Sequence, residues 1–318
     1  MRATVATKQV KLIFLSLTGF CLIQFASAQS SALQRYQFRE LHMGGEVEIT
    51  AYSHSSDAAE NAMRAAFAEF ARLEQIMSDY RPDSEVRQLV KNSNGKPVKV
   101  SRDLFQVLRE ARIASLASGG AFDVTVGPLV KLWRKSRDTK ILPAPPEIRG
   151  ALRTVGFERV VLDPAKQTVT VMPGALIDLG GIAKGFACDA AMAKLKAGGI
   201  KSAMILAGGD ILVSGPPPGE AGWKIDAQGH PSGYFMLVDQ AISTSGDANQ
   251  FVEIGGRRYS HIVSPFNGLG LTPSIQATVV APRAVETDAF ATALCVLGHG
   301  KGSALAKRRG YRWIILTG

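Results

Sequence analysis

Apolar and polar residues alternate with period two over residues 45–52, where Val47, Ile49 and Ala51 interleave with Glu46, Glu48 and Thr50. This spacing predicts a strand with one buried face. The period then lengthens. Met63, Phe67, Phe70, Leu73 and Met77 fall on one face at helical spacing, behind a capping box of Asp57 and Glu60. A second amphipathic helix starts at Ser101, carries Leu104, Leu108, Ala111 and Ser115, and stops at Gly119-Gly120. Residues 137–146 are polar and end in proline, the clearest internal break.

Beyond that break a hairpin is expected over 159–163 and 168–172, and a helix over 182–196 that ends at Gly198-Gly199. Short strands then crowd together over 202–206, 211–214, 223–227, 235–238, 251–254, 258–263 and 276–281, with Gly255-Gly256 as a hairpin turn. A helix over 285–297, another from Lys301 and a strand over 311–316 complete the chain. Strands in runs with helices in a few blocks argue an α+β fold with mainly antiparallel sheets.

The start of the chain sets its compartment. Arg2, Lys8 and Lys11 precede an apolar run of 14 residues from Leu12 to Phe25, and Ala26-Ser27-Ala28 offers small residues before Gln29. This is the pattern of a signal peptide over residues 1–28, with residues 29–318 as a single mature domain in the periplasm. The run is shorter than the roughly 18 residues of a membrane span. Membrane association is therefore expected only through a partner or through an N-terminus that is retained or lipidated. Bulky Phe20 before Cys21 argues against lipidation.

Loss of residues 1–28 removes three basic residues and no acidic one, so the formal charge falls from +10 to +7. The remaining positives are dispersed and no aromatic stripe accompanies them, which excludes nucleic acid as an expected partner. Cys188 and Cys295 each sit in an Ala-rich helical pattern and read as small core residues.

Four glycine clusters interrupt the apolar pattern: residues 119–129, 178–185, Gly208-Gly209-Asp210 and Ser243-Thr244-Ser245-Gly246. Gly180-Gly181 stands where a helix begins, so its backbone N–H groups and the helix dipole suit a diphosphate. Each cluster alone reads equally as a turn or cap. Asp288 and Thr292 are one turn apart on the late helix and offer hard oxygens to Mg²⁺, or else serve the helix's own capping. His261 ends a strand beside a Pro-Phe-Asn-Gly turn and is either an ordinary half-buried residue or a general base.

Taken in order, these motifs resemble the ApbE family of FAD:protein FMN transferases over residues 40–300. The resemblance rests on Met43-Gly44, Ser78-Asp79-Tyr80 with Ser84-Glu85, Gly120-Ala121-Phe122-Asp123 through Trp133, Asp178 to Gly185, Gly208-Gly209-Asp210, Ser243 to Gly246, His261, and Thr287-Asp288 through Thr292. It implies an α+β fold of two intimately joined halves with FAD in the cleft between them.

Carried over position by position, the resemblance implies that Met43 and Tyr80 hold the isoalloxazine. It implies that Ala121, Phe122, Asp123, Asp178, Lys184 and Ile262 bind the rest of FAD, and that Mg²⁺ is held by Asp288, Thr292 and the Gly181 carbonyl. His261 and Asp178 are the implied proton acceptors. The implied partner is an exported redox subunit carrying a Thr or Ser target motif. Two positions depart from the family pattern: Gly45 stands where a threonine is usual, and Ser264 where an acid is usual. They leave open an FAD diphosphatase, which would release FMN and AMP, and a non-catalytic FAD-binding protein.

Overall fold

The computed structural model describes residues 32–248 and 250–318, so the expected signal peptide lies outside the described residues. The first strand, β1 (Gln34–His42), turns back through Met43 and Gly44 into β2 (Gly45–Ser53), with His42 opposite Gly45. Both turn residues have positive φ, 52° and 76°, the left-handed geometry that a two-residue hairpin demands. Helix α1 (Ser56–Met77) is capped by Ser55, whose hydroxyl accepts from the Ala58 N–H. The expected cap, Asp57, stands instead in the first turn, where its charge suits the helix N-terminus.

Next come α2 (Glu85–Ser93), β3 (Pro97–Lys99) and α3 (Arg102–Ser118). As patterned, Ser101 caps α3 and Gly119 ends it in the left-handed region. The stretch expected as a loop over 137–146 is loop only between α4 (Gly127–Thr139) and α5 (Pro145–Leu152). α4 buries only Leu129, Trp133 and Ser136, and α5 buries nothing fully, so neither carries the apolar stripe that marks a helix in sequence.

The chain continues through β4 (Val160–Asp163), β5 (Thr168–Val171), α6 (Ala183–Ala197), β6 (Ser202–Ala207), β7 (Asp210–Ser214), β8 (Trp223–Asp226) and β9 (Tyr234–Leu237). It ends with β10 (Ala241–Gly246), β11 (Phe251–Ile254), β12 (Arg257–Ser260), β13 (Ile275–Ala281), α7 (Ala284–Arg309) and β14 (Arg312–Thr317). The two helices expected near the end are the two arms of α7, which breaks at Gly298.

The fold is α+β, built on a seven-stranded sheet in the order β1-β2-β6-β7-β10-β13-β14 in which every neighbouring pair is antiparallel. Both ends of the chain therefore share one sheet. On one face lie α1, α6 and α7, with α6 packed against both of the others. α6 fits there because its buried face is made of Ala183, Gly185, Ala187, Cys188, Ala191, Met192 and Leu195, mostly small residues. The β8–β9 hairpin covers part of the other face through Trp223, Ile225, Phe235 and Leu237. That cover explains why β2 buries Thr50 as fully as Ile49, where the alternation predicts one wet face. A third cluster joins Leu129 and Trp133 of α4 to Val252, Tyr259 and Val263.

The tightest helix contact is at Gly185, where a Cβ would lie 2.2 Å from the Ala284 carbonyl oxygen and 2.8 Å from the Asp288 Cβ. Backbone cannot yield as a flexible side chain can. Gly185→Ala is expected to cost about 2 kcal/mol through overpacking and to lower the melting temperature by several degrees, roughly 2–4 °C per kcal/mol for a domain of this size. Thermal unfolding followed by circular dichroism checks this; an unchanged midpoint would mean that the two helices are not in backbone contact.

Candidate functional site

Neither α6 nor α7 carries a side-chain cap of its own, because the residues before them are Ile182 and Arg283. Each helix caps the other instead. Asp288 of α7 accepts the Gly185 N–H of α6 through Oδ2 at 3.0 Å. Asp189 of α6 accepts the N–H groups of Ala284 and Val285, the first two residues of α7, at 2.9 and 3.1 Å. The first two turns of the helices are thereby held against each other, running in opposite directions, and the positive end of the α6 dipole favours an anion at the Gly180-Gly181 bend.

Gly181 stands just before α6, and a Cβ there would lie 3.3 Å from Thr292 Oγ1 and 3.2 Å from the Phe122 ring. Gly181, remote in sequence, thus lies against Thr292, with Asp288 one turn away on the same helix and bonded to Gly185. β10 forms the floor beneath them: Ser243 Oγ lies 2.7 Å from Thr287 Oγ1, and Ser245 Oγ lies 3.1 Å from Thr292 Oγ1. Period-two alternation puts Ser243 and Ser245 on this side and Thr244 on the other, where it pairs with Thr278 at 2.9 Å.

The electrostatics of this corner favour a cation. Burial, followed by the charge of Asp210, holds the Asp288 carboxyl well above the usual carboxylate range. Burial likewise pushes Asp210 to about 6, opposed by the Ser243 hydroxyl and the Lys184 ammonium. Lys184 lies close enough to act on both but forms no ion pair within 4 Å among the described residues, which leaves its ammonium available to a ligand. The donors are carboxylate, hydroxyl and carbonyl oxygens, the set that Mg²⁺ takes together with water and ligand phosphate. No group of three His, Cys, Asp or Glu residues is gathered among the described residues. These oxygens therefore fit Mg²⁺ shared with a phosphate better than a closed protein cage.

A second wall stands on Asp178, which accepts the Gly180 N–H at 2.8 Å and meets Arg134 Nη2 at 3.2 Å. Arg134 also reaches Asp79 at 2.6 Å and lies over the ring of Tyr80. Burial and the Asp79 charge raise the Asp178 carboxyl, against the N–H of Gly180 and the charge of Arg134. Met43 lies at the other side of the end of α1, its N–H donating to Glu74 Oε2 at 3.0 Å. Ala121, Phe122 and Asp123 are buried. Asp123 spends Oδ1 on the N–H and hydroxyl of Thr125, at 2.8 and 2.6 Å.

His261 lies just past β12, half-buried, with the buried Ile262 beside it. Its Nδ1 is 3.0 Å from the Gln250 carbonyl oxygen. A carbonyl can only accept, so Nδ1 carries the proton and Nε2 keeps its lone pair. Burial lowers the pKa of the ring, so the neutral form prevails at pH 7. A shallow depression beside it is lined by Val130, Trp133, Arg137, Val252, Tyr259 and Ser260. Of the two implied proton acceptors, Asp178 is engaged by Arg134 and Gly180 and His261 by Gln250, and no hydrogen bond joins the two among the described residues.

Both cysteines are buried and free, as expected of core residues. Sequence spacing did not single out Arg134 or Asp189, and it gave Asp210 and Ser245 only as parts of glycine clusters. The partners of Arg134 and Asp189 lie tens of residues away, so no local pattern announces them.

The family profile described as the ApbE family matches residues 43–315. An FAD:protein FMN transferase of Klebsiella pneumoniae (strain 342) is 30% identical over 283 residues, covering 86% of this chain and 86% of that relative. Another, of Treponema pallidum (strain Nichols), is 31% identical and covers 86% of this chain and 82% of its own length. Among solved structures, the apo flavinyl transferase ApbE of Pseudomonas stutzeri superposes with a TM-score of 0.80 at 26% identity, over 90% of this chain and 95% of that one. The ApbE protein of Thermotoga maritima gives a TM-score of 0.81 at 28% identity, over 89% and 94%.

The cross-capping aspartate Asp189 makes a testable contribution to stability. Burial outweighs its two N–H bonds and raises its carboxyl from 3.8 to about 6. The folded state then binds a proton that the unfolded chain has released, so this contribution is complete below about pH 4 and is lost as pH rises through about 6. Over that window the stability of wild type relative to Asp189→Asn is expected to fall by roughly 2 kcal/mol. Urea unfolding of both proteins from pH 4 to 7 checks this, and a pH-independent difference would contradict it.

Proposed function

Because the chain belongs to the ApbE family and is a flavin transferase, we propose that it uses Mg²⁺ and FAD to attach FMN to a Thr or Ser hydroxyl of an exported redox protein, releasing AMP. The observation that carries this reading is the approach of Asp288 and Thr292 of α7 to the N-terminus of α6, where Gly181 and Gly185 lie. The diphosphate of FAD binds there, with Lys184 as a further positive group. When bound, Mg²⁺ neutralises charge on the diphosphate oxygens.

Asp288, Thr292 and the Gly181 carbonyl hold the metal. Met43 and Tyr80 flank the isoalloxazine, a thioether and an aromatic ring suited to a flat ring system. Asp178 and Ile262 bind beside them, and Ala121, Phe122 and Asp123 shape the pocket behind. The hydroxyl of the acceptor attacks the phosphorus on the FMN side, its proton passes to Nε2 of His261, and the bond to AMP breaks. Asp178, already spent on Arg134 and Gly180, serves as a binding group. The signal-like N-terminus favours a periplasmic acceptor. No helix among the described residues is long and apolar enough to cross a membrane.

The test mixes purified protein, FAD, Mg²⁺ and a Thr-containing acceptor, and measures AMP by chromatography and flavin on the acceptor by fluorescence. AMP and acceptor-bound flavin are expected in equal amounts, with Asp288→Ala slower by about a hundredfold or more. AMP without protein-bound flavin would mean a diphosphatase, and no AMP a binding protein. An unaffected Asp288→Ala would refute the metal assignment.

The state of His261 gives a second expectation. Its lowered pKa places the acid limb of the rate profile below the ordinary histidine value of about 6.5. His261→Asn should abolish that limb along with most of the rate; an unchanged profile would remove His261 from the reaction.

A further inference from the structure

Two of the residues proposed to touch the flavin end of FAD, Tyr80 and Asp178, rest on the same side chain. Arg134 of α4 places Nη2 at 2.6 Å from Asp79 and 3.2 Å from Asp178, and its guanidinium carbon lies 4.1 Å from the centre of the Tyr80 ring. One residue thus ties together α4, the segment after α1 and the loop before α6. The side chains of Asp79 and Asp178 are only 15% and 12% exposed, whereas Tyr80 is 73% exposed. A ring so exposed has little packing to hold its orientation, and the flat guanidinium supplies a face for it.

The carboxylates depend on Arg134 as well. Without it Asp79 and Asp178 would repel each other in a poorly solvated place, and the charge of Asp79 already disfavours ionised Asp178. Arg134 is kept there although its Nε is buried without an acceptor. An orphaned donor of that kind is unfavourable and persists only where the rest of the side chain is well engaged.

We propose that Arg134 is a positioning residue for FAD, holding Tyr80 and Asp178 as a preformed wall for the isoalloxazine. This rests on the flavin-transferase reading and adds the element that orders its flavin end before the ligand arrives. A wall already in place binds more tightly, because no side-chain freedom is lost on association. Lysine cannot replace arginine here, since a point-like ammonium does not offer a flat face to a ring while bridging two carboxylates.

The test titrates wild type, Arg134→Lys, Arg134→Gln, Tyr80→Ala and the double variant Arg134→Gln/Tyr80→Ala with FAD and with ADP, in Mg²⁺, by calorimetry. ADP carries the diphosphate but no isoalloxazine. Both Arg134 variants are expected to bind FAD about tenfold more weakly and ADP within about twofold of wild type, at a melting temperature lowered by a few degrees. Tyr80→Ala should add little on top of Arg134→Gln, as expected of coupled residues. Unaltered FAD affinity in both variants, an equal loss for ADP and FAD, or full additivity with Tyr80→Ala would overturn the proposal. Wild-type protein that binds no FAD would fail the transferase reading and this inference with it, whereas normal wild-type binding with unaffected variants fails the inference alone.

Discussion

Two packed helices without side-chain caps of their own present a difficulty, because each brings unsatisfied N–H groups and a positive dipole end against its neighbour. Here the difficulty is met by exchange: Asp288 of α7 accepts from α6, and Asp189 of α6 accepts from α7. The exchange works only at short range, which is why position 185 has no side chain. Since the carboxylate of Asp288 uses Oδ2 on Gly185, Oδ1 is left for something else. The same contact that stabilises the helix pair thus leaves one carboxylate oxygen of Asp288 uncommitted in this corner of the fold, one turn from Thr292.

The rest of the site is arranged around that corner. β10 supplies a floor of hydroxyls under α7, and β7 brings Asp210 close enough to raise Asp288. The site therefore carries surplus negative charge in a poorly solvated place, an arrangement that is costly for the protein alone and favourable once a cation with its phosphate is present. Around Asp178 the surplus is handled within the chain, where Arg134 sits between Asp79 and Asp178. The donors around Asp288 thus suit a metal-bound diphosphate, and the exposed Tyr80 ring beside Arg134 suits a flat ring.

Much of the fold was legible in the chain because its elements are locally determined. α3 runs from the cap at Ser101 to the left-handed Gly119 as its pattern predicts, and α1 buries the expected Met63, Phe67, Phe70, Leu73 and Met77. β1, α2, α4, α5 and β10 were not legible as elements. β1 lies at the sheet edge and is mostly exposed, while α4 and α5 bury too little to show a stripe. The candidate site was legible as a list of motifs and not as a geometry. Nothing in the spacing of Asp288 says that its partner is a backbone N–H 103 residues earlier in the chain, and Arg134 belongs to a helix whose surroundings read as a polar loop. Long-range pairs of this kind are fixed by the sheet and by helix packing, which no local window contains.

The account turns on oxygens of α7 and of the bend before α6 sharing one divalent cation with a diphosphate. A crystal structure with Mn²⁺ in place of Mg²⁺ and FAD bound, read by anomalous scattering, tests this most directly. The expected result is one anomalous peak about 2.0–2.3 Å from Asp288 Oδ1, Thr292 Oγ1 and the Gly181 carbonyl oxygen, with diphosphate oxygens completing the shell. FAD bound with its diphosphate elsewhere, or with no metal peak at that corner, would contradict it.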